Sequence, residues 1–226
     1  MDFIFEERAA ESPFVDLIWR TQSERAGSFT STAGSNSELV VTRYEGQTSI
    51  TLRGPETKAS HAEFPAEAEF LGIRFKLGVF MPHLPPSTVM DRNDASLPVI
   101  TNQSFWLQGA TWRLPTYENA DTFVEWLVRY GVLVQEPVVA EVLANQLSDL
   151  SLRSLQRRFV RATGLTHGTV VQIERAQQAM TLLQQGVSIL DTVELAGYAD
   201  QPHLTRSLKR FIGRTPAQLL GASRAE

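Results

Sequence analysis

Gly197-Tyr198-Ala199-Asp200-Gln201-Pro202-His203-Leu204-Thr205-Arg206-Ser207-Leu208-Lys209-Arg210-Phe211-Ile212-Gly213-Arg214-Thr215-Pro216 is the stretch that decides how this chain is read. Leu204, Leu208 and Phe211 stand four and seven residues apart. One face of a helix over residues 201–212 is therefore apolar, with Gln, Thr and Arg side chains on the other. Asp200 is placed to cap that helix, and a proline in its first turn costs no hydrogen bond. Upstream, Ser188 followed by Asp191 resembles a capping box with the shorter acid and opens a short helix over 188–196. Gly197 permits a tight turn between the two helices, and Tyr198 falls where it can pack between them. The spacing predicts a helix-turn-helix.

Working outward, Leu155-Gln156-Arg157-Arg158-Phe159, closed by Thr163-Gly164, repeats the chemistry. Leu155 and Phe159 face inward and the Gln and Arg side chains outward, on a helix over 151–163 that Ser151 caps and Gly164 ends. Further helices are predicted over 138–147, over 169–185 with Gly186 as the stop, and from Pro216. Pro137 marks the start of this helical region of about 90 residues. An Arg on the exposed side of a short helix can make a bidentate contact to guanine, a Gln to adenine, and a Thr can meet the thymine methyl. The remaining basic residues, Arg158, Arg161, Lys209 and Arg210, are candidates for phosphate contacts that position without specifying.

Residues 138–220, most specifically 197–216, resemble the DNA-binding region of AraC-type transcription regulators, and 151–164 is similar to that family's first recognition helix. The resemblance implies two helix-turn-helix units joined by the long helix over 169–185, with two recognition helices in successive major grooves of double-stranded DNA. Its base-facing positions fall on Arg153, Gln156 and Arg157 in the first unit. In the second they fall on Gln201, Pro202, Thr205 and Arg206, with His203 nearby. Two departures stand out. Ser148-Asp149 occupies the place of the usual turn glycine, which makes the turn one residue longer before Ser151, and Thr192 and Glu194 stand where apolar residues are usual.

The N-terminal half reads differently. Short β-rich runs over 17–20, 39–44, 49–53 and 70–77 are punctuated by Gly46, Gly54-Pro55 and Gly78, which predicts an antiparallel sheet, barrel-like in outline. Residues 26–37, rich in Gly, Ser, Thr and Asn, read as a flexible loop. Over 119–134, Phe123, Leu127 and Tyr130 recur at helical spacing with Val124 and Trp126 widening the stripe. That makes an amphipathic helix suited either to its own core or to a dimer or interdomain surface. Leu52-Arg53-Gly54-Pro55-Glu56-Thr57 and residues 71–78 resemble the sensor-like domain of a subset of the same regulators. This resemblance implies a small-molecule effector or a homodimer contact.

The fold class expected is α+β: a β-rich domain over 1–136, then an all-α DNA-binding domain over 137–226. The charge supports the division. Residues 1–137 hold 11 Lys and Arg against 18 Asp and Glu, a net of −7, whereas residues 138–226 hold 10 against 7, a net of +3. The overall −4 therefore hides a basic, anion-seeking module on an acidic body. The absence of cysteine excludes disulfides, thiolate metal sites and Cys nucleophiles. No catalytic motif stands out, no cofactor is expected, and His61 and His83 lack a third ligand at usable spacing, so no metal is expected. Trp19, Tyr44, Arg74, Phe105, Trp106 and Trp112 are candidates to line an effector pocket, with core packing as the alternative for the rings. No membrane contact is expected. The first ten residues lack an apolar stretch and no run approaches a bilayer's span, which leaves a cytoplasmic protein as the expectation. Two other readings stay open: a cupin-like barrel enzyme, and a protein-interaction module with a degenerate helix-turn-helix.

Overall fold

A computed structural model describes residues 3–146 and 150–223. Ser148 and Asp149, which replace the turn glycine of the first unit, lie outside the described residues. The N-terminal part holds β1 (Phe3–Ala9), β2 (Val15–Ser23), β3 (Gly27–Ser31), β4 (Glu38–Tyr44), β5 (Gln47–Arg53), β6 (Ser60–Phe64), β7 (Ala68–Phe75) and β8 (Val79–Phe80). A 3-10 turn, Pro86–Thr88, leads to β9 (Ala95–Leu97), β10 (Val99–Thr101), β11 (Ser104–Leu107), β12 (Ala110–Arg113), α1 (Ala120–Arg129) and β13 (Val134–Gln135). Six helices follow: α2 (Pro137–Leu143), α3 (Leu152–Thr163), α4 (His167–Gln184), α5 (Ile189–Leu195), α6 (Gln201–Phe211) and α7 (Pro216–Ser223). The architecture is α+β, with the strands preceding an all-helical region.

By their contacts these elements form two compact units. The first comprises the chain up to Ser28, Asn36–Pro55 and Glu63–Thr166; the second comprises Phe29–Ser35, Glu56–Ala62 and the chain from His167. Contact and composition thus divide the chain differently: α2 and α3 belong with the sheet, and two short N-terminal segments belong with α4 to α7.

The first unit is built on an antiparallel sheet in the order β1-β2-β7-β4-β5-β9. Alternation sends Ile18, Leu39, Val41, Ile50, Leu52, Leu71, Ile73 and Phe75 into one core, as the period of two requires. At the β4–β5 hairpin Glu45 and Gly46 both take positive φ, 50° and 71°, the pair a type I′ turn needs to match the strands' twist. Phe123, Val124 and Leu127 of α1 are buried in this same core, so its apolar stripe serves its own unit. Trp126 and Tyr130 remain exposed and stack with ring centroids 5.7 Å apart. The helix stops short of residue 134 because the N–H groups of Val132 and Leu133 both turn back onto the Leu127 carbonyl. Those two side chains re-enter the core.

In the second unit, Val170, Ile173, Ala176, Ala179 and Leu183 form the buried stripe of α4, which packs on α5, α6 and α7. Leu204, Leu208 and Phe211 of α6 are buried as their spacing predicts. Residues 26–37 are not the loop their composition suggests. They contain β3, which pairs with β6, and Gly34 forms a bridge with Glu56. Their partners lie far off in sequence, where composition cannot reveal them.

One polar pin ties the sheet edge to α1. Arg8 donates from Nη1 to Asp121 Oδ2 at 2.7 Å, and the N–H groups of Glu11 and Ser12 donate to Oδ1 at 3.0 Å each. Burial pushes the Asp121 carboxyl up, but the Ser12 N–H, Arg8 and the Glu11 N–H together hold it below its ordinary value. Removing the side chain with Asp121→Ala is expected to cost about 2 to 3 kcal/mol of unfolding free energy. Because the folded value is depressed, the pin contributes fully above the ordinary carboxylate range and is lost as pH falls through the folded value. Urea unfolding of both proteins between about pH 5 and pH 2 should show a shallower acid loss in the variant; identical slopes would refute the pin.

Candidate nucleic-acid interface

The second helix-turn-helix is α5, the turn through Gly197 (φ 68°) and α6. Ser188 Oγ accepts the Asp191 N–H at 3.1 Å and donates to its carboxylate at 2.6 Å. Asp200 Oδ1 accepts the His203 N–H at 2.6 Å. Both caps are the ones the residue types demand. Tyr198 is buried between elements: its hydroxyl pairs with Ser207 Oγ at 2.8 Å, the Arg175 guanidinium sits 5.7 Å from its ring centre, and burial raises its pKa. Downstream, Thr215 and Gln218 exchange two N–H bonds, 2.8 and 3.3 Å, which starts α7 with a capping box.

On α6 the side chains of Gln201, Pro202 and Arg206 are exposed and Thr205 is half-buried. At i, i+1, i+4 and i+5 these positions share one side of the helix. His203 is turned elsewhere, its ring edge-on to Tyr198 at 5.1 Å. Lys209 and Arg210 are exposed at the last turn, with the Arg210 guanidinium 4.9 Å from the Phe211 ring centre.

In the first unit, α2 is capped by Glu136, whose carboxylate accepts the Val138 N–H at 3.3 Å. Beyond α2, Asn145 takes φ 51°, a conformation that asparagine tolerates better than most residues. Ser151 caps α3 by accepting the Ser154 N–H at 3.3 Å, and Gly164 ends it at φ 72°. Phe159 is buried while Leu155 is only half-buried. Arg153, Gln156 and Arg157 are exposed at i, i+3 and i+4, one face of the helix. Arg158 is paired within the chain, donating to both Glu136 oxygens at 3.1 and 2.5 Å. Its guanidinium is thereby engaged within the protein, and this bond raises its pKa.

Ion pairing separates the two kinds of arginine. On the sheet, Arg8, Arg20, Arg43, Arg53 and Arg74 all face carboxylates, those of Asp121, Glu6, Glu69, Glu38 and Asp16. On α3 and α6, Arg153, Arg157, Arg161, Arg206 and Lys209 have no acidic partner among the described residues.

The six candidate pocket residues are not gathered into one site. Trp19 and Arg74 share the outer face of the sheet, where Trp19 bonds Glu38 and stacks on Phe5. Tyr44 ends β4, Phe105 is buried in the core, Trp106 is exposed, and Trp112 meets Tyr130 edge-on. A groove of about 420 Å³ lies instead at one end of the sheet, lined by Glu6, Arg20, Arg43, Glu69 and Tyr117 among others. His61 lies in β6 and His83 in the turn before Pro86; no group of three or more His, Asp and Glu residues able to hold a metal occurs among the described residues. No helix among them is long and apolar enough to cross a membrane.

Two capped helical pairs, each displaying unpaired cations, define a helix-turn-helix protein. Residues 143–222 match the family described as "Helix-turn-helix domain". Over 79 residues the chain is 39% identical to the HTH-type transcriptional regulator VirS of Mycobacterium tuberculosis, covering 35% of this chain and 23% of that protein. Over 105 residues it is 36% identical to the HTH-type transcriptional regulator RipA of Corynebacterium diphtheriae, covering 46% and 30%. The chain thus spans less than a third of the length of these relatives. Among solved structures, ToxT from Vibrio cholerae aligns over 96% of this chain and 98% of its own at 9% identity, with a TM-score of 0.38. A ToxT structure from strain O395 aligns over 96% and 97% at 9% identity, TM-score 0.39.

Thr192 is fully buried in α5 with no hydrogen-bond partner for Oγ1. Thr192→Val keeps the shape and removes the unpaired hydroxyl, so it is expected to stabilise the protein by about 1 kcal/mol or more. Chemical denaturation checks this; a loss of stability would mean that the hydroxyl is satisfied.

Proposed function

We propose that this chain is a sequence-specific DNA-binding transcription regulator, with α3 and α6 as its two recognition helices reading successive major grooves. The observation that carries this reading is a contrast in pairing: Arg8, Arg20, Arg43, Arg53 and Arg74 of the sheet face carboxylates, whereas Arg153, Arg157 and Arg161 of α3 and Arg206 and Lys209 of α6 have no acidic partner among the described residues and are left for an external polyanion. Arg153, Gln156 and Arg157 on α3, and Gln201, Pro202, Thr205 and Arg206 on α6, are assigned to bases. Arg161, Lys209 and Arg210 are assigned to phosphates. Arg158 is assigned to Glu136 and His203 to Tyr198 instead of DNA. In this reading residues 137–226 form the DNA-binding domain and residues 1–136 a sensor domain, acting in the cytoplasm. A single chain carries both reading helices, so a homodimer is not required for two half-sites. The effector implied by the resemblance has its place in the groove at the sheet end rather than among the six scattered residues.

Arg157→Ala and Arg206→Ala are each expected to weaken binding to a selected site by about 1 to 3 kcal/mol, and much less to scrambled DNA, by fluorescence anisotropy. Equal losses on both DNAs would assign these arginines to phosphate. Selection from a random DNA library should return two half-sites about one helical turn apart. Affinity for the selected site should fall steeply with salt, and Lys209→Ala should reduce the slope by about one. Binding insensitive to salt would overturn the interface.

A further inference from the structure

A helix end leaves carbonyls without partners, and at the second recognition helix those partners come from the N-terminal half of the chain. The Ala59 N–H donates to the Arg210 carbonyl and the Ala33 N–H to the Phe211 carbonyl, both at 2.7 Å. Ala33 is held in turn by Gln177 of α4, whose Nε2 donates to its carbonyl at 2.8 Å. The two donor segments are stitched to each other. Gly34 and Glu56 exchange backbone bonds of 3.1 and 2.9 Å, and the buried Glu56 carboxylate accepts from Ser31 Oγ at 2.9 Å and Ser60 Oγ at 3.4 Å. Gly213 makes the approach feasible: a Cβ there would lie 2.8 Å from Thr30 Cγ2 and 3.1 Å from Ala59 Cβ.

We propose that Phe29–Ser35 and Glu56–Ala62 form a clasp that positions α6 for base reading, with Glu56 and Gln177 as its positioning residues. The clasp sets where the last turn of α6 sits without touching DNA itself. Specificity at one half-site is then shaped by residues that precede α6 by more than 130 positions. Its role in reading rests on the DNA-binding assignment made above for α6. Its mechanical part, the hold on the α6 terminus, does not.

The test uses the full chain carrying Glu56→Ala, Glu56→Gln or Gln177→Met. Amide hydrogen exchange over residues 207–213 is measured alongside random-library selection, and the half-sites are assigned to α3 and α6 by Arg157→Ala and Arg206→Ala. Glu56→Ala and Gln177→Met should raise exchange at the end of α6 by about fivefold or more, the equivalent of one net hydrogen bond. They should also flatten base preference in the α6 half-site while leaving the α3 half-site unchanged. Glu56→Gln keeps an acceptor for the serine hydroxyls and should restore both. Gln177→Met leaves the buried Glu56 in place and decides the matter if Glu56→Ala does not fold. Unchanged exchange in the folded variants overturns the clasp. Raised exchange with equal flattening of both half-sites overturns its positioning role. If the wild-type chain selects no DNA, the recognition reading fails and the role in base reading falls with it.

Discussion

The carbonyl oxygens of Arg210 and Phe211 need donors, and this requirement organises the second compact unit. A helix that ends in water can leave its last carbonyls to solvent, but here they meet N–H groups from segments over 150 residues earlier in the chain. Meeting that need fixes Ala33 and Ala59, which in turn fixes the bridge between Gly34 and Glu56 and buries a carboxylate between two serine hydroxyls. The apolar stripe of α4 supplies most of the burial. Burial is non-directional, however, and the hydrogen bonds select one arrangement among those that burial would allow.

Charge does a second kind of selecting. A basic residue beside a carboxylate is held by it, whereas an exposed one without such a neighbour keeps its field for whatever arrives from solution. The sheet shows the first case repeatedly and the exposed faces of α3 and α6 the second. Arg158 is the exception that makes the rule physical. It lies within a run of basic residues yet is engaged by Glu136, the same carboxylate that caps α2, so α3 is tied to the N-terminus of α2.

Much of this was legible in the sequence. The α5–turn–α6 unit carries its caps, its glycine and its apolar spacing in side chains, and local rules place such elements well. The strands over 38–53 and 68–75 show an alternation that leaves little choice of face. The aromatic residues were another matter. Trp19, Phe105 and Trp112 are apolar wherever they fall, and only the strand order assigns one to the outer face, one to the core and one to a partner ring. His203 likewise sits on α6 by sequence, while its ring packs against Tyr198.

By itself the sequence determined the α+β order, the two helix-turn-helix segments and the exposed faces that display Arg153, Arg157 and Arg206, because periodicity and capping are written within a few residues of where they act. The tertiary structure alone decided that α3 belongs with the sheet, that Arg158 is paired, and that residues 29–35 and 56–62 hold α6. The physical reason is that the clasp is made chiefly of backbone donors and acceptors. Every residue type but proline offers both, so the contact leaves no mark in the side-chain pattern, and only the folded chain shows which distant groups meet.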